Sequence, residues 1–431
     1  MNLKNFFLLL LTFAILAAII PEPTLANDPN QISAQIESVR RDREALIAEQ
    51  ERLQAELERV NRESMTLGTA VKSLDATRKK LAADIQVTQS KIRSNDLSIK
   101  MLETTMGEKE HAIMTHEQAI GLAIRTISQH DVRPLWIDVI SSSSLSDVWR
   151  DRTQLEGLSI SLNDEVHNLR ETKSILSKEK ELKEEAKKKI ASLQGELVGQ
   201  RSVVEENQRA KERLLAETKS QEAAYQKMLA DNLARQKQFE ADIFRLESAL
   251  KVALDPTLIP AAQRGLLAWP LDKVYITQNF GRTSASGRLY ASGTHNGVDF
   301  RAAQGTAVKS MLGGVVEGVG NTDEQRGCYS YGRWVLIKHG NGLTSIYSHL
   351  SGTLVKPGQT VTAGQAIGYS GGTPGVFGSG YSTGPHLHVG LFASQGVSIK
   401  QFTQSIGCKQ VMVPIADVKA YLDPLAYLPV N

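Results

Sequence analysis

Ser382-Thr383-Gly384-Pro385-His386-Leu387-His388-Val389 sets two imidazoles two residues apart in a strand-like run. Residues i and i+2 of a strand point to the same face, so His386 and His388 project together. That spacing lets two imidazoles converge on one metal ion or one substrate atom. The surrounding sequence is rich in glycine, with short β-type runs such as Trp334-Val335-Leu336-Ile337 and residues 343–347. Glycine-bounded strands at this spacing predict an all-β domain.

Two further histidine motifs precede the pair: His295-Asn296-Gly297-Val298-Asp299 and Tyr347-Ser348-His349-Leu350. His295 and Asp299 offer a nitrogen and a carboxylate oxygen, both suited to zinc. Two histidines, one aspartate and a water would form an open tetrahedral catalytic site. Zinc in such a site supplies Lewis acidity and lowers the pKa of water. Five candidate groups exceed three protein ligands, which leaves two histidines for proton transfer or oxyanion stabilisation. His339, in Lys338-His339-Gly340-Asn341, reads as a structural turn residue after a strand. His111, His116, His130 and His167 fall on or near helical segments and read as solvated.

The first half of the chain has another character. Val39, Leu46, Leu53, Val60, Leu67, Leu74 and Leu81 recur every seven residues, and a second register carries Leu57, Val71, Ile85, Ile92, Ile99, Met106, Ile113, Ile120 and Ile127. The seam resumes with Leu155, Leu162, Leu169 and Leu176 and continues through Ile190, Leu197, Val204, Phe239 and Leu246. Charged residues fill the gaps, which is the pattern of a coiled coil. Pro134 and the serines at 141–144 interrupt it, so the expected form is an α-helical coiled-coil hairpin over 27–252 with a bend near 130–150. An intermolecular coiled coil is also open. Trp136, Ile137, Val139, Ile140, Leu145, Val148 and Trp149 form an apolar cluster at that bend, either packed on an arm or presented to a partner protein. Pro256 and Pro260 mark a linker over 253–265, and the β domain occupies 266–431.

The chain has 431 residues, 41% hydrophobic and 23% charged, as expected for a folded multidomain protein. A net charge of +3 gives no reason to expect a nucleic-acid partner. Residues 257–431 carry 13 Lys and Arg against 7 Asp and Glu, a balance suited to an anionic polymer such as cell wall. Two cysteines exclude a disulfide-dense scaffold and multi-cysteine metal modules. Residues 1–26 join Lys4 to an apolar run over 6–20 and then Thr24-Leu25-Ala26, the form of a signal peptide. An extracytoplasmic location follows, with membrane anchoring if the segment is retained. In an exported protein Cys328 and Cys408 can pair.

The three histidine motifs, in this order, resemble those of the LytM/lysostaphin-type zinc peptidases that cut peptide cross-links in peptidoglycan. The resemblance covers about residues 266–395 and extends to the turns Lys356-Pro357-Gly358-Gln359 and Ala363-Gly364-Gln365. It implies zinc held by His295, Asp299 and His388, with His349 and His386 acting on the water and the developing oxyanion. Tyr290 would match a tyrosine that such enzymes carry upstream of the first ligand. Three features depart from the pattern: Gly390 where an acidic residue is common, a long loop over 371–381, and the two cysteines.

The layout as a whole is similar to the EnvC/PcsB-type murein hydrolase activators. It implies a coiled coil that docks on an FtsEX-type membrane complex and restrains the hydrolase site. Two functions are therefore expected to compete: a zinc endopeptidase of peptidoglycan, and a non-catalytic activator of a separate wall amidase. The five intact positions favour catalysis. The helical arms are expected to block the groove until a partner engages residues 130–150.

Overall fold

The computed structural model describes residues 29–60, 65–131, 137, 139–140, 144–250, 254–283, 286, 293–328, 330–403, 405 and 407–430. The expected signal peptide at 1–26, Trp136 and Tyr290 lie outside them. A helical N-terminal region leads into a sheet-rich C-terminal region, as the periodicities require. The helices are α1 (Pro29–Val60), α2 (Leu67–Asp131), α3 (Leu145–Thr218) and α4 (Glu222–Ala249).

The heptads are thus broken at two places that their spacing does not reveal. Before α2, Thr66 accepts the Thr69 N–H on its side-chain oxygen, a cap that starts a new helix. After α3, Lys219 and Ser220 adopt φ values of 50° and 57°, left-handed geometry that ends a helix. Contacts such as Gln50 Nε2 to Asp84 Oδ1 at 2.5 Å run α1 back along α2, a reversal additional to the bend expected near 130–150.

The chain divides into two compact units. One joins residues 29–37 with Leu97–Glu185. In it α2 and α3 run antiparallel, with ion pairs Glu103–Lys183 at 2.9 Å, Glu110–Lys180 at 3.1 Å and Glu117–Lys173 at 2.8 Å. His116, expected to be solvated, is half-buried with Nδ1 2.5 Å from Glu165 Oε1. At the helix start after the bend Val148 is buried whereas Trp149 is 78% exposed; Ile140 is 77% exposed. The apolar cluster is therefore divided between packing and solvent.

The second unit joins Ser38–Asp96 with Ala186–Asn431. It crosses 253–265 instead of ending there, because the helices share cores with the sheets. Leu81 and Val203 pack on Tyr369, and Leu57 and Ala76 on Ala303. Phe239 and Ile243 of α4 pack on Phe402, Val413 and the Cys328–Cys408 disulfide. The residues after 253 are also fixed: Asp255 caps a short turn at Pro256–Leu258, and its N–H donates to Gln395 Oε1.

The main sheet is antiparallel and eight-stranded. Its central strands are β2 (Val298–Arg301), β10 (His386–Ala393), β6 (Leu343–Ser348) and β5 (Arg333–His339), adjacent in that order. Val298, Phe300, Leu387 and Val389 face one core, with Val335 and Ile337. Alternation turns Trp334, Leu336, Ile346 and Phe392 to a second core on the other face. The Asp299 and His388 side chains project on that second face, at its upper end. His339 is buried, its Nδ1 3.1 Å from Gly313 O and its Nε2 2.8 Å from Ser345 Oγ, the structural histidine that the sequence suggests.

Candidate active site

The strand register assembles the site. Asp299 stands opposite His388 across the β2–β10 pair, and His388 stands opposite Ser348 across β10–β6. Directly opposed residues of an antiparallel pair project to the same face. Asp299 Oδ1 is 2.8 Å from His388 Nδ1 and 3.3 Å from His295 Nε2, and the two nitrogens are 3.2 Å apart. Bonds of about 2.0–2.1 Å to zinc would put tetrahedral ligand atoms about 3.3 Å apart, so these three donors fit zinc. His295 Nδ1 lies 3.0 Å from the Asn279 carbonyl; donation of its N–H there leaves the Nε2 lone pair facing the cluster.

His349 follows β6 with a φ of 57°, left-handed backbone that is uncommon for any residue but glycine. Its N–H donates to Tyr331 O at 2.8 Å, its carbonyl accepts from Gly371 N at 2.7 Å, and its Nδ1 lies 2.8 Å from Ser379 O. These bonds hold the strained conformation and aim Nε2 at the cluster. His386 Nδ1 lies 2.8 Å from Gly384 O, while its Nε2 is 3.9 Å from Asp299 Oδ1. The His349 and His386 rings are 4.7 Å apart between centroids. All five residues singled out in the sequence therefore meet at one place.

Burial raises the Asp299 carboxyl, but the neighbouring His386 and the hydrogen bonds from His295 and His388 outweigh it and hold the group well below the usual carboxylate range. Burial drives the His349 imidazole well below its ordinary value, and His386 and His388 add to that. Burial lowers His388 as well. Burial would lower His295, but its hydrogen bond to Asp299 and the attraction of that carboxylate raise it. An ionised carboxylate beside a neutral His388 is the protonation state that metal binding needs, and a metal would displace a proton from His295.

The profile of Peptidase family M23 matches residues 293–400. The chain carries a C-terminal M23 domain of the LytM type. An uncharacterized metalloprotease of Haemophilus influenzae is 47% identical over 94 residues, 22% of this chain and 18% of that protein. The peptidoglycan DD-endopeptidase ShyA of Vibrio cholerae is 39% identical over 131 residues, 30% of this chain and 27% of its own length. The cell division protein DipM of Caulobacter vibrioides is 36% identical over 118 residues, 27% of this chain and 17% of its own. The chain thus spans about a quarter or less of the length of these relatives.

Several M23-domain residues carry no sequence signal that singles them out. Tyr331 lies beside His388, with ring centroids 6.3 Å apart, and its hydroxyl accepts from Asn296 Nδ2 at 3.4 Å. The long loop over 371–381 reaches the cavity at its end through Tyr381, and Ser382 and Thr383 just beyond it line the same wall. Asp323 pins that loop by accepting the Gly378 and Gly380 N–H groups at 2.7 and 3.0 Å. At Gly390 a Cβ would meet Ile346 Cγ2 at 2.8 Å, so an acidic side chain would displace core packing.

The opposite wall is helical. Gln236 and Glu240, one turn apart on α4, line the cavity that holds Asp299, His349, His386 and His388. About 60 Å³ remains, room for a few waters and not for a peptide. Burial pushes the Glu240 carboxyl up to about 7, with His295 pulling the other way.

Proposed function

We propose that the chain is an exported, zinc-dependent endopeptidase that hydrolyses peptide cross-links of peptidoglycan, held in a restrained state by its own helix α4. The observation that carries this reading is the convergence of His295, Asp299 and His388 on one point with His349 and His386 beside it. In this reading the first three residues would hold zinc, which would supply Lewis acidity toward the scissile carbonyl and the attacking water. His349 and His386 present Nε2 atoms that take up a proton and return it to the departing amine. Tyr331 and Asn296 border the space for the substrate. The peptidoglycan substrate is supported by the M23 domain and by a relative named as a peptidoglycan DD-endopeptidase. The disulfide agrees with an oxidising, extracytoplasmic compartment.

Restraint is supported by Gln236 and Glu240 of α4, which line the cavity beside Asp299, His349, His386 and His388 and narrow it. The competing reading, an activator that switches on a separate amidase, has no residue of the five missing to favour it. Digestion of purified peptidoglycan by the full chain and by Phe239→Ala, with and without a zinc chelator and beside His388→Ala, separates the two. Peptide cross-link products from Phe239→Ala that vanish with chelator and in the Phe239→Ala/His388→Ala double variant are expected. Zinc binding without any cleavage by either form would transfer the function to activation.

A further inference from the structure

Arg301 stands directly opposite His386 in the β2–β10 register, two residues beyond Asp299 on the same face of the strand. Two residues of strand span about 7 Å, so the Arg301 backbone lies one step along β2 from the metal-ligand candidate Asp299. Its position is built. The Arg301 N–H donates to Tyr275 O at 2.8 Å, and its guanidinium carbon stacks 4.2 Å from the Tyr275 ring centroid. No carboxylate pairs with Arg301 among the described residues. Nearby Asp272 is already bonded to Lys309, and Lys80 to Asp84.

Arg301 and Tyr275 border a groove of about 1040 Å³ that reaches Lys273, Gly384 and Pro385 on the sheet side and Glu51, Gln54 and Glu58 on the helical side. Gly384 and Pro385 lead straight into His386, so the groove begins where the catalytic cavity ends. It is far roomier than that cavity, about 1040 Å³ against about 60 Å³. A stacked guanidinium with free N–H groups is a fork for a planar anion, and its bidentate partner of choice is a carboxylate.

We infer that Arg301, held on Tyr275, is a specificity residue that binds a free carboxylate borne by the cross-link peptide next to the scissile amide. The inference rests on the peptidoglycan reading above. It selects cross-links whose amine side carries a carboxylate, such as those made through diaminopimelate, over neutral glycine bridges.

The test is binding to the full chain, which needs no cleavage. Calorimetric titration compares a purified dimeric muropeptide that has free diaminopimelate carboxylates with the same peptide amidated at those groups. The free acid is expected to bind at least tenfold more tightly. Arg301→Met should abolish that preference and Arg301→Lys retain part of it, with melting temperatures unchanged because the side chain is exposed. Tyr275→Phe should keep the preference and Tyr275→Ala weaken it. Equal affinity for the two peptides, an unaltered preference in Arg301→Met, or no binding of either peptide by the native chain would each overturn the inference. A preserved preference in a chain that never cleaves would leave it standing while removing the peptidase reading.

Discussion

Gly297 backs directly onto the His388 imidazole. A Cβ at this position would stand 2.6 Å from His388 Cε1 and 2.8 Å from Nε2, and would also collide with the Val389 carbonyl. The glycine between the first two metal-ligand candidates is therefore what lets the third approach them. Gly297→Ala is expected to displace the ring and weaken zinc binding by about 10–100-fold, the range for a disturbed ligand support. Competition titration against a chelator of known affinity measures it; unchanged affinity would show that the ring does not need this space.

Zinc should stabilise the fold, because its three candidate donors meet only in the folded chain. At a free zinc concentration about 100 times Kd the gain is about 2.7 kcal/mol. The melting temperature is expected to rise on zinc addition in the native chain and to stay level in His295→Ala and Asp299→Ala. An equal rise in these variants would place the metal elsewhere.

Phe239 fixes α4 to the sheet domain through an edge-on contact with Phe402, ring centroids 5.6 Å apart. Truncating a buried phenylalanine costs about 3–5 kcal/mol. Phe239→Ala is therefore expected to loosen α4, expose the cavity behind Gln236 and Glu240, and raise hydrolysis of peptidoglycan at least tenfold over the native chain. A variant that stays folded and no more active would argue against restraint by this helix.

Glu247 of α4 is buried, and accepts from the Tyr421 hydroxyl at 2.8 Å and the Ala416 N–H at 3.2 Å. Burial pushes its carboxyl from the ordinary 4.5 up to about 8. Between about pH 4.5 and pH 8 the folded chain keeps a proton that the unfolded chain has released. Stability from this group is fully present below that window and falls as pH rises through it, by up to about 4 kcal/mol. Urea unfolding at pH 5 and pH 8 should show the loss in the native chain and a smaller loss in Glu247→Gln. Equal losses would assign the dependence to other groups.

Cys328 and Cys408 are joined across 80 residues of sequence and packed with Phe239 and Ile243. Opening a loop of that length is expected to cost about 4 kcal/mol through the freedom returned to the unfolded chain. The Cys328→Ser/Cys408→Ser variant should melt well below the native chain in the absence of reductant, and both should melt together in its presence.

The five site residues were legible because each lies in a local motif with its own geometric consequence. The i, i+2 spacing of His386 and His388 already puts both on one face, and His295 and Asp299 are four residues apart. Tyr331, Gln236, Glu240 and Arg301 carry no such signal. Arg301 becomes meaningful only once the register places it opposite His386.

The amino-acid sequence by itself determined the helical first half, the sheet-rich second half and the donor set of the site. Heptad spacing, strand alternation and ligand chemistry are all properties of short segments. Only the tertiary structure decided that α1 folds back along α2, that α4 lines the cavity of the candidate site, and that the helices share a core with the sheets. Those outcomes depend on which apolar faces meet, and many faces of a heptad chain are nearly equivalent until the whole molecule packs.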